Sequence, residues 1–235
     1  VLLPFEFREF GKSLIAATVY LSNVNFYREA GYFDTVSEDK VLLHTWSLSV
    51  EEQFYIVLPV LMVLLLRRSF GLRALLWLSF AASLIACIWI TQRSQPAAFY
   101  LFPFRAWELL AGVLLAIEGQ RRVVPQAGAV SFLGLLLVLG GIFLIPAGAQ
   151  FPGWHAIIPV LGTVFLIANG QHENPINRVL SSPVPVGIGL ISYSLYLWHW
   201  PVYTLRVYLR DGYANIVASL GWMGLSIALG WLSWR

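Results

Sequence analysis

Residues 127–146 read AGAVSFLGLLLVLGGIFLIP, twenty consecutive positions without one charged side chain. A helix that crosses a lipid bilayer needs about 20 mainly apolar residues, and this stretch supplies them. Six further stretches reach or approach that length. They are residues 46–66, 72–91, 99–118, 155–169, 185–205 and 216–233. The sequence therefore predicts an all-α fold, a polytopic transmembrane helix bundle with about seven spanning helices.

The composition excludes a soluble globular domain. Hydrophobic residues make up 58% of the chain and charged residues 11%, whereas soluble domains carry about 25% charged residues. The basic residues are scattered in short gaps and form no patch that could bind nucleic acid. The single cysteine, Cys87, lies inside an apolar stretch, which excludes a disulfide framework and a thiolate metal site. We expect Cys87 to be a packing residue, and no metal to be bound.

Residues 11–27 form an eighth, amphipathic segment with several serine and asparagine side chains. We expect a short interfacial or re-entrant helix, which lipid tolerates only where protein covers its polar groups. Lys and Arg in the short loops predict the orientation, because cytoplasmic loops carry an excess of both. The loops predicted to be inside carry Arg67, Arg68 and Arg73, then Arg121 and Arg122, then Arg178 and finally Arg235. The C-terminus is therefore predicted to be cytoplasmic.

Polar residues within apolar stretches are the candidates for function, since a charge at mid-bilayer costs about 2.5–3.5 kcal/mol on insertion scales. The first cluster precedes and opens the 46–66 segment, where helical spacing places Ser47, Glu51 and Tyr55 on one face with His44 one turn earlier. A helix N-terminus would also favour acidic residues here through the helix dipole. That alternative accounts for one glutamate more readily than for two adjacent ones, Glu51 and Glu52.

The second cluster is Arg105 and Glu108, which are i,i+3 neighbours on a helix. They could simply neutralise each other. Alternatively, Arg105 points into a polar cavity and holds an anionic group of a substrate, with Glu108 orienting the guanidinium.

The third cluster is a polar stripe of Ser192, Tyr196, His199 and Tyr203 on one helix. An aromatic belt at the membrane interface explains Trp198, Trp200 and Tyr203, and His199 could be a structural histidine. Pro201 removes a backbone hydrogen bond from the helix, which favours a kink that lines a cavity.

These clusters resemble, in the same order, the acyltransferase 3 family of multi-pass membrane O-acyltransferases. The resemblance rests on LHTWSLSVEEQFY at 43–55, FRAWELLAG at 104–112 and ISYSLYLWHWP at 191–201, with Leu21-Ser22-Asn23 and Gly31-Tyr32-Phe33 upstream. The first and third motifs are long and specific, whereas the second alone would be weak. The resemblance spans essentially the whole chain.

The resemblance implies a bacterial inner-membrane enzyme of about ten helices. It would move an acetyl or other short acyl group from cytoplasmic acyl-CoA, typically acetyl-CoA, to a hydroxyl of a carbohydrate such as lipopolysaccharide O-antigen, peptidoglycan or exopolysaccharide. The family carries a catalytic histidine in its first helices, ahead of the residues matched here. We therefore expect 1–235 to be one membrane acyltransferase domain, truncated at both ends and inactive alone, with no bound cofactor.

Acyl transfer requires a base for the attacking hydroxyl and donors for the oxyanion. Within the resemblance, the predicted catalytic residues are Glu51, His44 and Arg105. The predicted substrate-binding residues are Trp46, Ser47, Tyr55, Trp107, Glu108, Ser192, Tyr196 and His199. The rival hypothesis is a transporter or flippase for a lipid-linked or acylated small molecule, although paired interrupted helices in corresponding halves are not found. A purely structural subunit would leave Glu51, Arg105 and His199 unexplained.

Overall fold

The structure is a computed structural model that describes residues 4–30, 40–66, 71–119, 127–146, 148, 150–209 and 216–235. Within these residues the chain forms eleven helices and no strand, so the predicted all-α fold is confirmed. The helices are α1 (Pro4–Thr18), α2 (Ser22–Ala30), α3 (Thr45–Leu66), α4 (Leu72–Thr91), α5 (Gln95–Tyr100), α6 (Phe102–Glu118), α7 (Gly128–Leu144), α8 (Ile157–Ala168), α9 (Pro175–Leu180), α10 (Pro183–Tyr208) and α11 (Ile216–Trp234).

Helix α4 is long and apolar enough to cross a membrane, and among the described helices it is the one that meets both criteria. Helices α7 and α8 are apolar but shorter. Large apolar side chains such as Trp77, Leu78, Ile85 and Trp89 are exposed on α4, and water is a poor solvent for a helix with so much apolar surface. The count of seven crossings stays a prediction.

Two predicted segments are divided in the structure. The 99–118 segment is not one helix, because Leu101 is extended (φ −87°, ψ 130°) and separates α5 from α6. Pro103 lies in the first turn of α6, a position that suits proline because the first helical N–H groups have no partner within the helix. The 11–27 segment is also two helices, α1 and α2, separated at Tyr20, whose φ of 55° ends the first.

The chain divides into two compact units, which are described separately. Unit 1 contains residues 1–49 and 181–235, and unit 2 contains residues 50–180. In unit 1, α11 packs closely on α10: a Cβ added at Gly230 would lie 3.0 Å from the Cα of Leu195. Helix α2 buries Ser22, Asn23 and Phe26. The interfacial or re-entrant placement of residues 11–27 stays a prediction.

Unit 2 is built on apolar clusters between its helices. Phe54, Leu76, Leu110 and Leu114 form one cluster between α3, α4 and α6. Cys87, Trp107 and Ala156 form a second. Cys87 is fully buried and free, which confirms that it is a packing residue.

Helices α7 and α8 approach each other through glycine. A Cβ at Gly162 would lie 2.7 Å from the carbonyl oxygen of Gly134, and a Cβ at Gly134 would lie 2.9 Å from the carbonyl oxygen of Gly162. Neither contact is possible for a larger residue without moving a backbone. The two helix backbones therefore touch, as in the small-residue interfaces of membrane helices.

Several sequence predictions fall outside the described residues. They concern Arg67, Arg68, Arg121 and Arg122 in the loops predicted to be inside, and the Gly31-Tyr32-Phe33 motif. Arg73 is described, and its Nε lies 4.0 Å from Oε1 of Glu118 in an exposed ion pair.

Candidate active site

In unit 1, His44 lies in the turn immediately before α3 and is 7% exposed. Two side chains of α10 pack against its ring. The ring centroid of Tyr196 is 5.4 Å away and that of His199 is 5.8 Å away, both with edge-to-face geometry. The structure thus brings together three predicted site residues from opposite ends of the chain.

The hydroxyl of Tyr196 ties α10 to the start of α3. It donates a hydrogen bond to the backbone carbonyl of His44 and lies 2.5 Å from Oγ of Ser47. A phenol has a single proton to donate, so Ser47 is the donor in the second bond. Tyr196 therefore fixes both the backbone of His44 and the rotamer of Ser47.

His199 has a defined tautomer when its ring is neutral. Its Nδ1 lies 2.6 Å from the backbone carbonyl of Tyr196. A carbonyl only accepts hydrogen bonds, so Nδ1 carries the proton. The Nε2 nitrogen of the neutral ring is then an acceptor, available to a hydroxyl or to another donor.

Burial of its ring, and secondly the neighbouring His199, lower the pKa of His44 to about 4. The imidazole is therefore neutral at physiological pH. Its Nδ1 is buried and has no hydrogen-bond partner among the described residues. A neutral imidazole with an open nitrogen can take a proton from a hydroxyl, although a pKa this low means that a nearby negative charge is needed to hold that proton.

Residues that were not among the predicted site residues support this turn. The backbone N–H of Ser22 donates to Oγ of Ser49 at 3.1 Å, and the hydroxyl of Thr45 donates to Oγ of Ser22 at 2.8 Å. Ser22 and Ser49 are completely buried. Buried hydroxyls in unit 1 thus hold α2 against the start of α3. The Leu21-Ser22-Asn23 motif was the sequence signal for them.

Lys40 provides a second support for the His44 turn. Its ammonium pairs with the carboxylate of Glu29 on α2, and its backbone carbonyl accepts a hydrogen bond of 2.8 Å from Nε1 of Trp200 on α10. Asn25 also donates to Glu29, at 2.8 Å. Trp200 thereby has a hydrogen-bonding role within unit 1 in addition to the interfacial one expected of it.

The remaining predicted residues of unit 1 are less enclosed. Trp46 is half-buried at the start of α3, and Ser192 is exposed on α10, one turn before Tyr196. Their predicted contacts with a substrate stay predictions.

In unit 2, Arg105 and Glu108 form an ion pair on α6. Nη2 of Arg105 lies 3.1 Å from Oε2 of Glu108, and the two side chains are 14% and 22% exposed. The guanidinium also lies 5.7 Å from the ring centroid of Phe99 and 5.9 Å from that of Phe151. The other carboxylate oxygen of Glu108 is buried and lacks a hydrogen-bond partner within the described part of the chain. The guanidinium and the carboxylate therefore neutralise each other, as the first of the two alternatives predicted, and Oε1 of Glu108 can still accept a hydrogen bond.

Three other predicted residues of unit 2 differ in exposure. Trp107 is 1% exposed in the cluster with Cys87, and its backbone N–H donates to Oγ of Ser83 at 3.1 Å. This placement gives Trp107 a packing role, and its contact with substrate stays a prediction. Glu51 is half-buried on α3, whereas Tyr55 is 57% exposed.

A polar network in unit 2 was not predicted. Nδ2 of Asn169 donates to Oγ of Ser131 at 2.6 Å and to the carbonyl of Ala127 at 2.7 Å, while Nδ2 of Asn177 donates to the carbonyl of Asn169 at 2.7 Å. The side chains of Ser131, Asn169 and Asn177 are all buried. Buried polar groups that hydrogen-bond to one another make the surrounding structure rigid, and we assign this network to the stability of unit 2.

In the described residues, no three His, Cys, Asp or Glu side chains lie close enough together to hold a metal ion.

Comparison with known proteins identifies the family to which the chain is similar. The model of the acyltransferase domain family, acyltransferase 3, matches residues 3–235. A Komagataeibacter xylinus protein named as a membrane-bound transacylase, BcsY, is 30% identical over 93% of this chain and 56% of its own length. No solved structure matches the chain.

Two further relatives are named for O-acetyl transfer. A Staphylococcus aureus protein named as an O-acetyltransferase is 31% identical over 94% of this chain and 40% of its own length. The peptidoglycan O-acetyltransferase OatA of Listeria monocytogenes is 27% identical over 81% of this chain and 33% of its own length. The chain thus spans about half or less of the length of these curated relatives. A family model that matches nearly every residue, in a chain whose three polar motifs carry the family resemblance, shows that the chain belongs to the acyltransferase 3 family.

Proposed function

We propose that the chain is part of a membrane O-acyltransferase that moves an acetyl or other short acyl group from acyl-CoA to a hydroxyl of a cell-surface carbohydrate. Membership of the acyltransferase 3 family supports the reaction class. The names of the relatives, which include a peptidoglycan O-acetyltransferase, support a carbohydrate acceptor. The donor is the substrate of the reaction, and we propose no resident cofactor.

The observation that carries the proposal is the pair of histidines in unit 1. Their ring centroids are 5.8 Å apart, both rings are partly or fully buried, and the hydroxyls of Ser47 and Tyr196 lie beside them. Acyl transfer to a hydroxyl needs an unprotonated base at the attacking oxygen. His44 is neutral because burial lowers its pKa to about 4, and it has an open Nδ1.

We propose the following roles. His44 and Glu51 act on the proton of the attacking hydroxyl, and Arg105 binds the phosphate of the donor or the developing oxyanion. Glu108 orients Arg105, to which it is already bonded. Substrate contacts come from Trp46, Ser47, Tyr55, Trp107, Ser192, Tyr196 and His199.

We propose further that the protein crosses the bacterial inner membrane, with about seven crossings in this chain and its C-terminus in the cytoplasm. The apolar stretches and the Lys and Arg bias of the short loops support this topology. A donor that is made in the cytoplasm and an acceptor that lies outside would both have to reach such a protein.

The test uses the full-length protein in inverted membrane vesicles supplied with radiolabelled acetyl-CoA, with label on surface polysaccharide as the readout. We expect Glu51→Gln and Arg105→Ala to lower transfer at least tenfold, about 1.4 kcal/mol in the barrier. The matched controls Glu173→Gln and Arg178→Ala change exposed side chains and should leave transfer unchanged. Membrane insertion is checked for every variant.

Three results would count against the proposal. Unchanged transfer in Glu51→Gln and Arg105→Ala would remove the assigned roles. Absence of label on any carbohydrate would remove the reaction. Passage of an unmodified labelled molecule across the vesicle membrane would instead support the transporter or flippase.

A further inference from the structure

A cavity of about 480 Å³ lies in unit 2 at the C-terminal end of α4. Its lining residues come from that end of α4 and from the loop before α8. They are Ile88, Thr91, Gln92, Gln150, Gly153 and Trp154. The volume lies within the range of about 300–1,000 Å³ that is common for small-molecule sites, and the roles proposed above make no use of the cavity.

The wall of this cavity is held in place by hydrogen bonds. Oγ1 of Thr91 donates to the carbonyl of Cys87 at 2.7 Å and accepts from the N–H of Gly153 at 3.1 Å. Nε2 of Gln95 donates to the carbonyl of Phe151 at 2.9 Å. Gly153 has φ of +37°, and a Cβ there would lie 2.9 Å from the carbonyl oxygen of Gln150. The loop is therefore fixed onto α4 and α5, and these hydrogen bonds hold the wall of the cavity in place.

The side chains that line the cavity are neutral and suit a ligand rich in hydroxyl groups. Gln92 and Gln150 are exposed, and each amide offers both donors and acceptors. Trp154 is 55% exposed, and its ring is stacked at 3.8 Å on His155, which holds its orientation. Arg93 follows Gln92 in the chain but is not one of the lining residues. Its guanidinium lies over the ring of Trp89, 3.7 Å from the ring centroid. Amides beside an aromatic ring can bond the hydroxyls of a sugar and pack on its C–H face, whereas an uncharged lining gives a phosphate no counter-charge.

The position of the cavity also fits a sugar. Helix α4 is the described helix that is long and apolar enough to span a membrane, and it ends at Thr91. The cavity lies where that helix ends, and the end of a membrane-spanning helix meets water. The same loop carries Phe151, whose ring lies 5.9 Å from the guanidinium of Arg105. Gln150, which lines the cavity, directly precedes Phe151 in the chain.

We propose that this cavity is the subsite that binds a neutral sugar unit of the acceptor, with Trp154 stacking on the sugar and Gln92 and Gln150 bonding its hydroxyls. The proposal rests on the proposed function and extends it, since it assigns the acceptor to a site that neither the motifs nor the relatives indicate. The neutral lining selects uncharged sugars over the charged donor.

The test measures binding of cellotetraose, chitotetraose and maltotetraose to the full-length protein in nanodiscs by isothermal titration calorimetry. We expect at least one to bind, Trp154→Ala to weaken its Kd about tenfold, and Gln92→Ala or Gln150→Ala to weaken it about threefold. The matched control is Trp77→Ala, which removes an exposed tryptophan at the other end of α4 and should not change Kd. Thermal unfolding of each variant shows whether it is folded.

Acyl-transfer kinetics separate this proposal from the proposed function. We expect Trp154→Ala to raise the KM for the oligosaccharide about tenfold and to leave the KM for acyl-CoA unchanged. If transfer proceeds and folded Trp154→Ala and Trp77→Ala have the same Kd and KM for sugar, the subsite is wrong and the proposed function stands. If none of the three sugars binds the wild type, the subsite is also wrong. If sugar binding depends on Trp154 and no acyl group is ever transferred, the sugar site stands and the proposed function fails.

Discussion

Replacing Tyr196 by phenylalanine removes the oxygen atom that links α10 to the turn before α3. That oxygen donates to the carbonyl of His44 and lies 2.5 Å from Oγ of Ser47. Each intramolecular hydrogen bond contributes about 0.5–1.5 kcal/mol, and a buried group left without a partner costs about 1–3 kcal/mol. Because the site is only partly buried, we expect Tyr196→Phe to lower the free energy of unfolding by about 2 kcal/mol. Denaturant titration of the protein in detergent micelles measures this loss.

The matched control is Tyr193→Phe on the same helix. Tyr193 is 63% exposed, so the same chemical change there should stay within about 0.5 kcal/mol of wild type. Acyl transfer should fall about tenfold in Tyr196→Phe, because the backbone of His44 loses its anchor, and should be retained in Tyr193→Phe.

A double-mutant cycle shows whether the pairing itself is responsible. Combined with Ser47→Ala, Tyr196→Phe should show a coupling energy of about 0.5–1.5 kcal/mol, since each variant alone breaks the shared bond. Additive effects, or equal stabilities for Tyr196→Phe and Tyr193→Phe, would refute the reasoning that α10 holds the His44 turn through this hydroxyl.

Two further predictions concern packing and pH. Gly162→Ala should destabilise the protein by about 1–3 kcal/mol, because its Cβ would lie 2.7 Å from the carbonyl oxygen of Gly134. The control is Gly112→Ala on α6, where a Cβ meets nothing within 4 Å, and this change should be neutral or stabilising by up to about 1 kcal/mol. Thermal unfolding compares the two variants. His44 has a folded-state pKa of about 4, below its unfolded value of 6.5, so the unfolded chain binds the proton more tightly. Stability should therefore be fully present above pH 6.5 and fall by up to about 3 kcal/mol as the pH drops toward 4. Unfolding titrations at pH 7.5 and pH 5 should show a smaller difference in His44→Asn than in wild type, and an unchanged difference would contradict the assignment.

The length of the apolar stretches predicted where helices form, because a long run of apolar residues has few alternatives to a helix. It did not show where a predicted segment is divided into two helices. The extended Leu101 divides one predicted segment, and Pro103 was the available sign, since proline is favoured in the first turn of a helix. The positive φ of Tyr20 that separates α1 from α2 has no comparable sign, since tyrosine is not a residue that favours this conformation.

The candidate site was predicted in its residue types and not in its pairings. Periodicity relates residues within one helix, and so it could group Tyr196 with His199. It could not show that His44, from the other end of the chain, packs on both. The asparagine network around Asn169 was missed for the same reason, because its partner Ser131 lies 38 positions earlier.

The backbone contact between Gly134 and Gly162 has a consequence for biogenesis. Helix α8 has 12 residues, which rise about 18 Å, less than the roughly 30 Å of a hydrocarbon layer. Helix α7 has 17 residues and rises about 26 Å. We expect the short helix to enter the bilayer only as a hairpin with the longer one, seated against its glycine. Substitutions that separate the two would then appear as a low yield of inserted protein rather than as slow catalysis.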